Sequence, residues 1–190
     1  KDISACESYL DHIAKSSTRC RHIVDNILSY SRASKYEYET ADVHHLIEGI
    51  LEIMEYQVEK WNITLFKDYY DSPLRIRCCP DRIEQVFINI IANAHTAMPQ
   101  GGKLTIGTRL SGEGGSRNII ISFTDTGCGI PPERLQTIFK SFITSNKGDK
   151  NLGIGLSICK QIINDHKGII KVSSRENEGS TFSIILPAAV

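Results

Sequence analysis

The chain has 190 residues, of which 41% are apolar and 23% are charged, with 22 basic and 22 acidic side chains. This is an ordinary globular composition with enough residues to bury a core. A formal charge of zero gives no electrostatic reason to expect a nucleic-acid partner or direct membrane contact. No apolar run is long enough to cross a bilayer, and the 6 cysteines lack metal or disulfide spacing. Reduced thiols and a cytoplasmic location are therefore expected.

Residues 1–34 contain no glycine or proline and repeat apolar or small side chains in steps of four and three, from Cys6 to Ser31. This heptad pattern predicts one long helix. A single helix with an exposed seam needs a partner, so we expect a homodimer through residues 1–34. A helix that folds back on its own domain is the alternative. Residues 35–41 are expected to form a polar hinge, which divides the chain into domains at 1–36 and 37–190.

The second domain alternates helical and extended patterns. Apolar side chains at helical spacing predict helices at 42–61 (with Asp42 as cap), 81–98 and 156–166, and a short helix opens at Pro131 and Pro132. Strands are predicted at 63–69, 74–78, 103–110, 119–124, 169–174 and 181–186. These elements predict an α/β fold, a two-layer sandwich of about three helices on one mixed or antiparallel sheet.

The helix predicted at 81–98 carries an unusual polar stripe. Gln85, Asn89 and Asn93 are four residues apart, so they share one face beside an isoleucine-rich core face. Asparagine is a middling helix former, so two of them here indicate a function. A satisfied polar edge of a core helix is the alternative. Asp81 and Glu84 are predicted to form a capping box at the start of this helix.

A glycine-containing turn follows the strand predicted at 119–124. Asp125 precedes Gly127 and Gly129, and two glycines one residue apart let the backbone turn sharply and let a flat ligand approach. The Asp125 carboxylate can accept a hydrogen bond from an exocyclic amine, which adenine has and guanine lacks at that edge. A tight turn with an Asx cap explains the pattern equally well.

A second glycine pair, Gly153 and Gly155, opens the last helix. Backbone amides at a helix N-terminus form an anion site suited to phosphates, although a plain loop-to-helix joint is the alternative. Between the two glycine pairs, residues 140–151 read as a mobile loop, with Phe139 and Phe142 near its start. Its side chains Thr144, Asn146, Lys147 and Lys150 could close over a triphosphate.

Taken in chain order, these motifs resemble those of the histidine kinase ATP-binding domain, a Bergerat-type fold shared with gyrase, mismatch-repair and heat-shock chaperone ATPases. The resemblance is carried by Asn89 and Asn93, then Asp125, Gly127 and Gly129, then Phe139 and Phe142, then Gly153 and Gly155. It covers about residues 42–187, and the closing strand at 181–186 agrees with it. Residues 1–34 resemble the second helix of the family's dimerisation and phosphotransfer hairpin.

The resemblance implies roles for individual residues. Asn93 would coordinate Mg²⁺ together with the triphosphate, Asn89 would support the phosphates or the metal shell, and both would act with Lys147 in catalysis. Asp125 would bind the adenine amino group. The implied ATP site is completed by Gly127, Gly129, Ile130, Phe139, Thr144, Gly153, Gly155 and Leu156. At Asn89 the hydrolysing relatives carry a glutamate that activates water, so transfer of phosphate is expected rather than hydrolysis.

The family's acceptor histidine precedes an acidic residue and, about five positions on, a proline, and no histidine here has that setting. The resemblance therefore implies a sensor histidine kinase core that phosphorylates a helix lying upstream or on a second chain and works with a response regulator. An anti-sigma-type serine kinase and a non-catalytic ATP-gated interaction module are the alternatives.

Overall fold

The computed structural model describes residues 37–112, 117–140 and 154–189. Contacts divide the chain into two compact units, Lys1–Glu37 and Tyr38–Val190. The predicted heptad helix at residues 1–34 lies outside the described residues, as does most of the loop predicted at 140–151. The homodimer through residues 1–34 and the closing of the loop at 140–151 over a triphosphate therefore stay predictions.

The described part of the second unit contains helices and strands in alternation. In chain order they are β1 (Glu39–Asp42), α1 (Val43–Lys60), β2 (Ile63–Asp68), β3 (Arg75–Cys78), α2 (Pro80–Ala97), β4 (Gly102–Ser111), β5 (Asn118–Asp125), α3 (Pro132–Leu135), α4 (Gly155–Asp165), β6 (Ile169–Arg175) and β7 (Gly179–Pro187). None of the helices in these described ranges is long and apolar enough to cross a membrane.

The main sheet has five strands in the order β2-β4-β5-β7-β6. Strand β2 runs parallel to β4, and every other pairing is antiparallel. Of the two arrangements that the sequence allowed, mixed or antiparallel, this sheet is mixed, while β1 and β3 pair outside it as a second sheet.

The core lies between this sheet and the long helices. Along β5 the side chains alternate, with Ile119, Ile121 and Phe123 buried on the inner face, as expected for a strand with one face on the core. Helix α1 buries one apolar stripe from Val43 to Val58. The rings of Phe87 on α2 and Phe123 on β5 pack with centroids 5.5 Å apart. The two-layer α/β sandwich is confirmed.

The prediction of a hinge at residues 35–41 is wrong for its last residues. Glu39–Asp42 forms β1, which pairs antiparallel with β3 as a separate two-stranded sheet. The pairing partner is far away in sequence, so local composition could not reveal this strand. The predicted cap is confirmed, because the Asp42 carboxylate accepts from the His44 amide at 2.8 Å.

The capping box predicted at Asp81 and Glu84 is also wrong. Helix α2 begins one residue earlier, at Pro80, and Cys79 is its N-cap, with no side-chain capping bond. Proline suits the first turn because its φ is already helical and it lacks the amide hydrogen that would go unpaired. Asp81 therefore lies inside the first turn, where it complements the helix dipole without capping the helix.

Candidate functional site

Asp125 ends β5 on the inner side of the sheet. It is only 4% exposed, and its Oδ1 accepts from the amides of Gly127 at 2.8 Å and Ser180 at 3.3 Å. Burial raises the pKa of Asp125, and these backbone hydrogen bonds partly oppose that shift. The Asx turn considered from the sequence is therefore present. Both bonds end on Oδ1, so Oδ2 is the oxygen that can accept from a further donor.

The two glycines after Asp125 are required by packing within the protein. A Cβ at Gly127 would lie 2.7 Å from the carbonyl oxygen of Ala97, which also accepts from the Cys128 amide at 3.0 Å. Gly129 has φ +68°, and a Cβ there would overlap the carbonyl of Arg175. The loop is thereby held between the end of α2 and the β6–β7 turn. The resemblance also implies that these glycines leave room for a nucleotide, and that role stays a prediction.

Two serines beside Asp125 were not identified from the sequence. In the sheet Asp125 pairs with Ser180, and Ser180 pairs with Ser174. The Ser174 hydroxyl accepts from the amide of Ile130 at 2.8 Å, so it fixes the residue that follows the glycine turn. Strand register decides that Ser174 and Ser180 lie beside Asp125, and the only indication of this in the sequence was the predicted closing strand at 181–186.

The asparagine stripe lies where α2 packs against α4. A Cβ at Gly155 would lie 3.7 Å from Oδ1 of Asn89, so the start of α4 sits beside this side chain. The Nδ2 atoms of Asn89 and Asn93 are both buried and have no hydrogen-bond partner among the described residues. No described residue pairs with either Nδ2, so the described contacts do not support the alternative of a satisfied polar edge. An unpaired buried donor is costly, typically about 1–3 kcal/mol, unless a ligand satisfies it.

Helix α4 begins at Gly155 without a side-chain cap, and the Ser157 hydroxyl turns back to donate to the Ile154 carbonyl at 2.7 Å. The first-turn amides and the positive end of the helix dipole therefore lie next to Asn89. Burial raises the pKa of the Cys159 thiol to about 12, with an opposing contribution from Asn89. That thiol stays neutral, so it adds no negative charge to this end of the site.

The other predicted site residues divide into two groups. Ile130, Phe139 and Leu156 are partly buried and pack against the core, with the Lys160 ammonium 5.9 Å from the centre of the Phe139 ring. Thr144, Lys147 and Gly153 lie outside the described residues, as do Phe142, Asn146 and Lys150.

The described residues contain no cluster of three or more His, Cys, Asp or Glu side chains that could hold a metal ion. Asparagine amides are different donors, because each presents one carbonyl oxygen, a ligand for hard cations, and one NH₂ group that can bind a phosphate oxygen. The chemistry of Asn89 and Asn93 therefore fits a cation that takes most of its ligands from a bound polyphosphate.

Asp125 provides a buried hydrogen-bond acceptor. Asn89 and Asn93 provide buried amides that no described residue pairs with, and Asn89 lies beside the uncapped start of α4. Together with helices packed on one face of a mixed sheet, these features are those of a nucleotide-binding α/β domain. The family described as "Histidine kinase-, DNA gyrase B-, and HSP90-like ATPase" matches residues 78–190. The chain belongs to this family, and the predicted Bergerat-type fold is confirmed.

Several kinases are similar to this chain. Sporulation kinase C of Bacillus subtilis (strain 168) is 29% identical over 182 residues, which cover 95% of this chain and 41% of that protein. Sensor histidine kinase ZraS of Salmonella typhimurium (strain LT2) is 31% identical over 175 residues, covering 92% and 37%. The chain therefore spans about two fifths of the length of these relatives.

Solved structures of histidine kinase ThkA are similar to this chain as well. The catalytic domain of ThkA superposes with a TM-score of 0.69 at 32% identity, covering 80% of this chain and 97% of that one. ThkA in complex with response regulator protein TrrA gives a TM-score of 0.81 at 29% identity, covering 100% of this chain and 53% of that one.

Proposed function

We propose that this chain is the ATP-binding catalytic core of a sensor histidine kinase and transfers the γ-phosphoryl group of ATP to a histidine outside this chain. The observation that carries the proposal is that the buried Nδ2 atoms of Asn89, beside the start of α4, and of Asn93 have no hydrogen-bond partner among the described residues. Such groups are expected where a charged ligand completes the hydrogen bonding. Membership of the family and similarity to named histidine kinases support it.

Asp125 is proposed to bind the adenine base. Its Oδ1 is occupied by the amides of Gly127 and Ser180, which hold the carboxylate in place. Oδ2 would then accept from the adenine amino group, with Gly129, Ile130 and Leu156 around the base. A charge-assisted bond of this kind contributes about 1.5–3 kcal/mol.

Asn93 is proposed to hold Mg²⁺ through its amide oxygen, with Asn89 beside it and the amides at Gly155 on the phosphates. When bound, the ion neutralises charge on the phosphate oxygens. The chain's own groups orient the triphosphate and supply donors from a helix N-terminus. Thr144, Lys147, Gly153 and Phe139 are proposed to complete this end from the connecting loop. Asn89 cannot accept a proton from water as a glutamate could, which favours transfer over hydrolysis.

Three of the four described histidines are held by hydrogen bonds or ring stacking, which makes them poor candidates for the phosphoacceptor, while His45 is exposed. His44 lies 2.8 Å from the Thr108 hydroxyl through Nε2, and the ring of His95 stacks on Trp61 with centroids 4.1 Å apart. His166 is 7% exposed and engages both ring nitrogens. We therefore place the acceptor on an upstream segment or on a second chain.

The proposed partners follow from this arrangement. A response regulator would receive the phosphoryl group, and the solved complex of histidine kinase ThkA with response regulator protein TrrA supports this choice of partner. Residues 1–34 would form a homodimer, and sedimentation with and without them tests this; a monomer in both cases at high concentration would contradict it. We place the protein in the cytoplasm and propose neither nucleic acid nor a direct membrane contact for these residues.

Labelled ATP with Mg²⁺ tests the main proposal. The chain alone should bind nucleotide without labelling itself, and a separately supplied helical hairpin with a histidine acceptor should gain an acid-labile, alkali-stable label. The Asp125→Asn variant, which keeps the Asx turn, is the matched negative control. Acid-stable label would favour the serine kinase alternative, and binding without transfer to any acceptor would favour the non-catalytic module. Label on His12 or His22 would show that the acceptor lies within this chain.

A further inference from the structure

One rung of the main sheet carries three polar side chains on its inner face. Asp125 on β5 pairs with Ser180 on β7, which pairs in turn with Ser174 on β6. Residues opposite one another on neighbouring strands point to the same face, so the three side chains form a row. Ser180 is 5% exposed and Asp125 is 4% exposed, which keeps these two members of the row out of bulk water, while Ser174 is partly buried.

The hydrogen bonds along this row have a fixed direction. The Ser174 hydroxyl lies 2.7 Å from the Gly179 carbonyl, which can only accept, so Ser174 donates its single proton there. Ser174 also accepts from the Ile130 amide at 2.8 Å. The Ser180 hydroxyl lies 3.0 Å from the Ser174 hydroxyl, which has no second proton to give. Ser180 must therefore donate to Ser174, and its own oxygen keeps only lone pairs.

We infer that Ser174 is a specificity-positioning residue: it fixes the Ser180 hydroxyl as an acceptor beside the Asp125 carboxylate, so that this end of the pocket selects purines with an amino group at C6. This rests on the proposed function, since it assumes that the base lies at Asp125. An amino group donates to both acceptors, whereas a 6-oxo purine places a carbonyl oxygen, itself an acceptor, against the same two acceptors. The mismatch leaves buried polar groups unpaired, which is the strongest form of rejection available to such a pocket.

The same contacts allow a purely structural role for Ser174. Its hydroxyl bridges the glycine turn at Ile130 to the β6–β7 turn at Gly179, so its loss could simply loosen the site. The two roles differ in what they change. A loosened site weakens all nucleotides alike, whereas a released Ser180 hydroxyl can rotate and donate to a 6-oxo group.

The test is calorimetric titration of the full chain with ATP and with inosine triphosphate, both with Mg²⁺. Inosine changes only the C6 edge and the N1 proton, and lacks the extra amino group of guanine. Ser174→Ala should lower the preference for ATP over inosine triphosphate about tenfold. Ser173→Ala is the matched control, because Ser173 is exposed on the neighbouring position of the same strand. Ser174→Thr keeps the hydroxyl and should restore the wild-type preference.

Ser180→Ala provides a second measurement that leaves the Ser174 bridge intact, and it should lower the same preference. An unchanged preference in Ser180→Ala, or an equal loss of both nucleotides in Ser174→Ala, would overturn the inference while ATP binding by the wild type upholds the proposed function. Equal binding of both nucleotides by the wild type would overturn it too. A wild-type chain that binds neither nucleotide would overturn the proposed function and this inference together.

Discussion

The two ends of the site are built in opposite ways. At the proposed base end, hydrogen bonds join Asp125, Ser180 and Ser174 into a row without any ligand. At the proposed phosphate end, the amide nitrogens of Asn89 and Asn93 are buried and unpaired among the described residues. The first arrangement is preorganised, while the second leaves donors that no described residue satisfies and that a ligand can satisfy.

This difference separates selectivity from ligand-dependent stability. Fixed acceptors discriminate between ligands because a wrong partner leaves them unpaired. Unpaired donors weaken the empty protein and strengthen the complex, so binding a polyphosphate there should stabilise the fold strongly. The following substitutions are chosen to break or sharpen this comparison.

The largest effect is expected at Asp125. Asp125→Asn keeps an Oδ1 that accepts from Gly127 and Ser180, but it replaces Oδ2 by a donor that opposes the adenine amino group. The loss of about 1.5–3 kcal/mol corresponds to roughly 10–150-fold weaker ATP binding. Titration measures it, and the melting temperature should stay near that of the wild type. Undiminished ATP affinity in this variant would remove the base-end assignment.

The glycines of the two ends should differ in their effect on stability. Gly129→Ala forces a side chain into φ +68° and against the Arg175 carbonyl, so it should destabilise the fold by about 2 kcal/mol or more. Gly155→Ala meets no atom of the described residues nearer than 3.7 Å and places a better helix former in α4, so stability should be unchanged or slightly higher. Denaturant unfolding of both variants measures the contrast, and equal destabilisation would contradict it.

Asn93→Ala should separate the empty protein from the complex. The buried Nδ2 has no partner among the described residues, so its removal should leave the nucleotide-free protein as stable as the wild type or more so. Mg-ATP affinity should fall about tenfold, since a charge-assisted contact is lost, while adenosine binding should hardly change. Thr96→Ala, on an exposed turn of the same helix, is the control. Equal losses for adenosine and Mg-ATP would make Asn93 structural.

The smallest effect concerns pH. Burial lowers the pKa of His166 from its ordinary value of 6.5, so in acid the unfolded chain binds a proton that the folded chain resists. Stability should therefore be complete above about pH 6.5 and fall as the pH drops below it. His166→Gln should make this dependence shallower, with His95, whose pKa is lowered by burial as well, contributing to the rest. If His166 has no part in this pH dependence, thermal melts between pH 5 and pH 8 will give the same slope of melting temperature against pH for the wild type and for His166→Gln.

Local patterns accounted for most of the elements and for the outline of the site. The periodicity of α1, α2 and α4 and the alternation along β5 follow from burial of one face, so they are readable from residue spacing alone. The two corrections lie where distant segments meet. Strand β1 exists because it pairs with β3, and the cap region of α2 is held from another helix, where the Cys79 amide donates to Nε2 of His166 at 3.0 Å.

The sequence by itself determined the order of motifs, the family they resemble and the placing of Asn89, Asn93 and Asp125 on a helix and a strand end, because these depend on neighbours along the chain. Only the tertiary structure decided which polar groups are paired. The row of Asp125, Ser180 and Ser174 depends on the register of three strands, and the unpaired amides depend on how α2 meets α4. Register and helix packing are set by burial across the whole core, so no local pattern contains them.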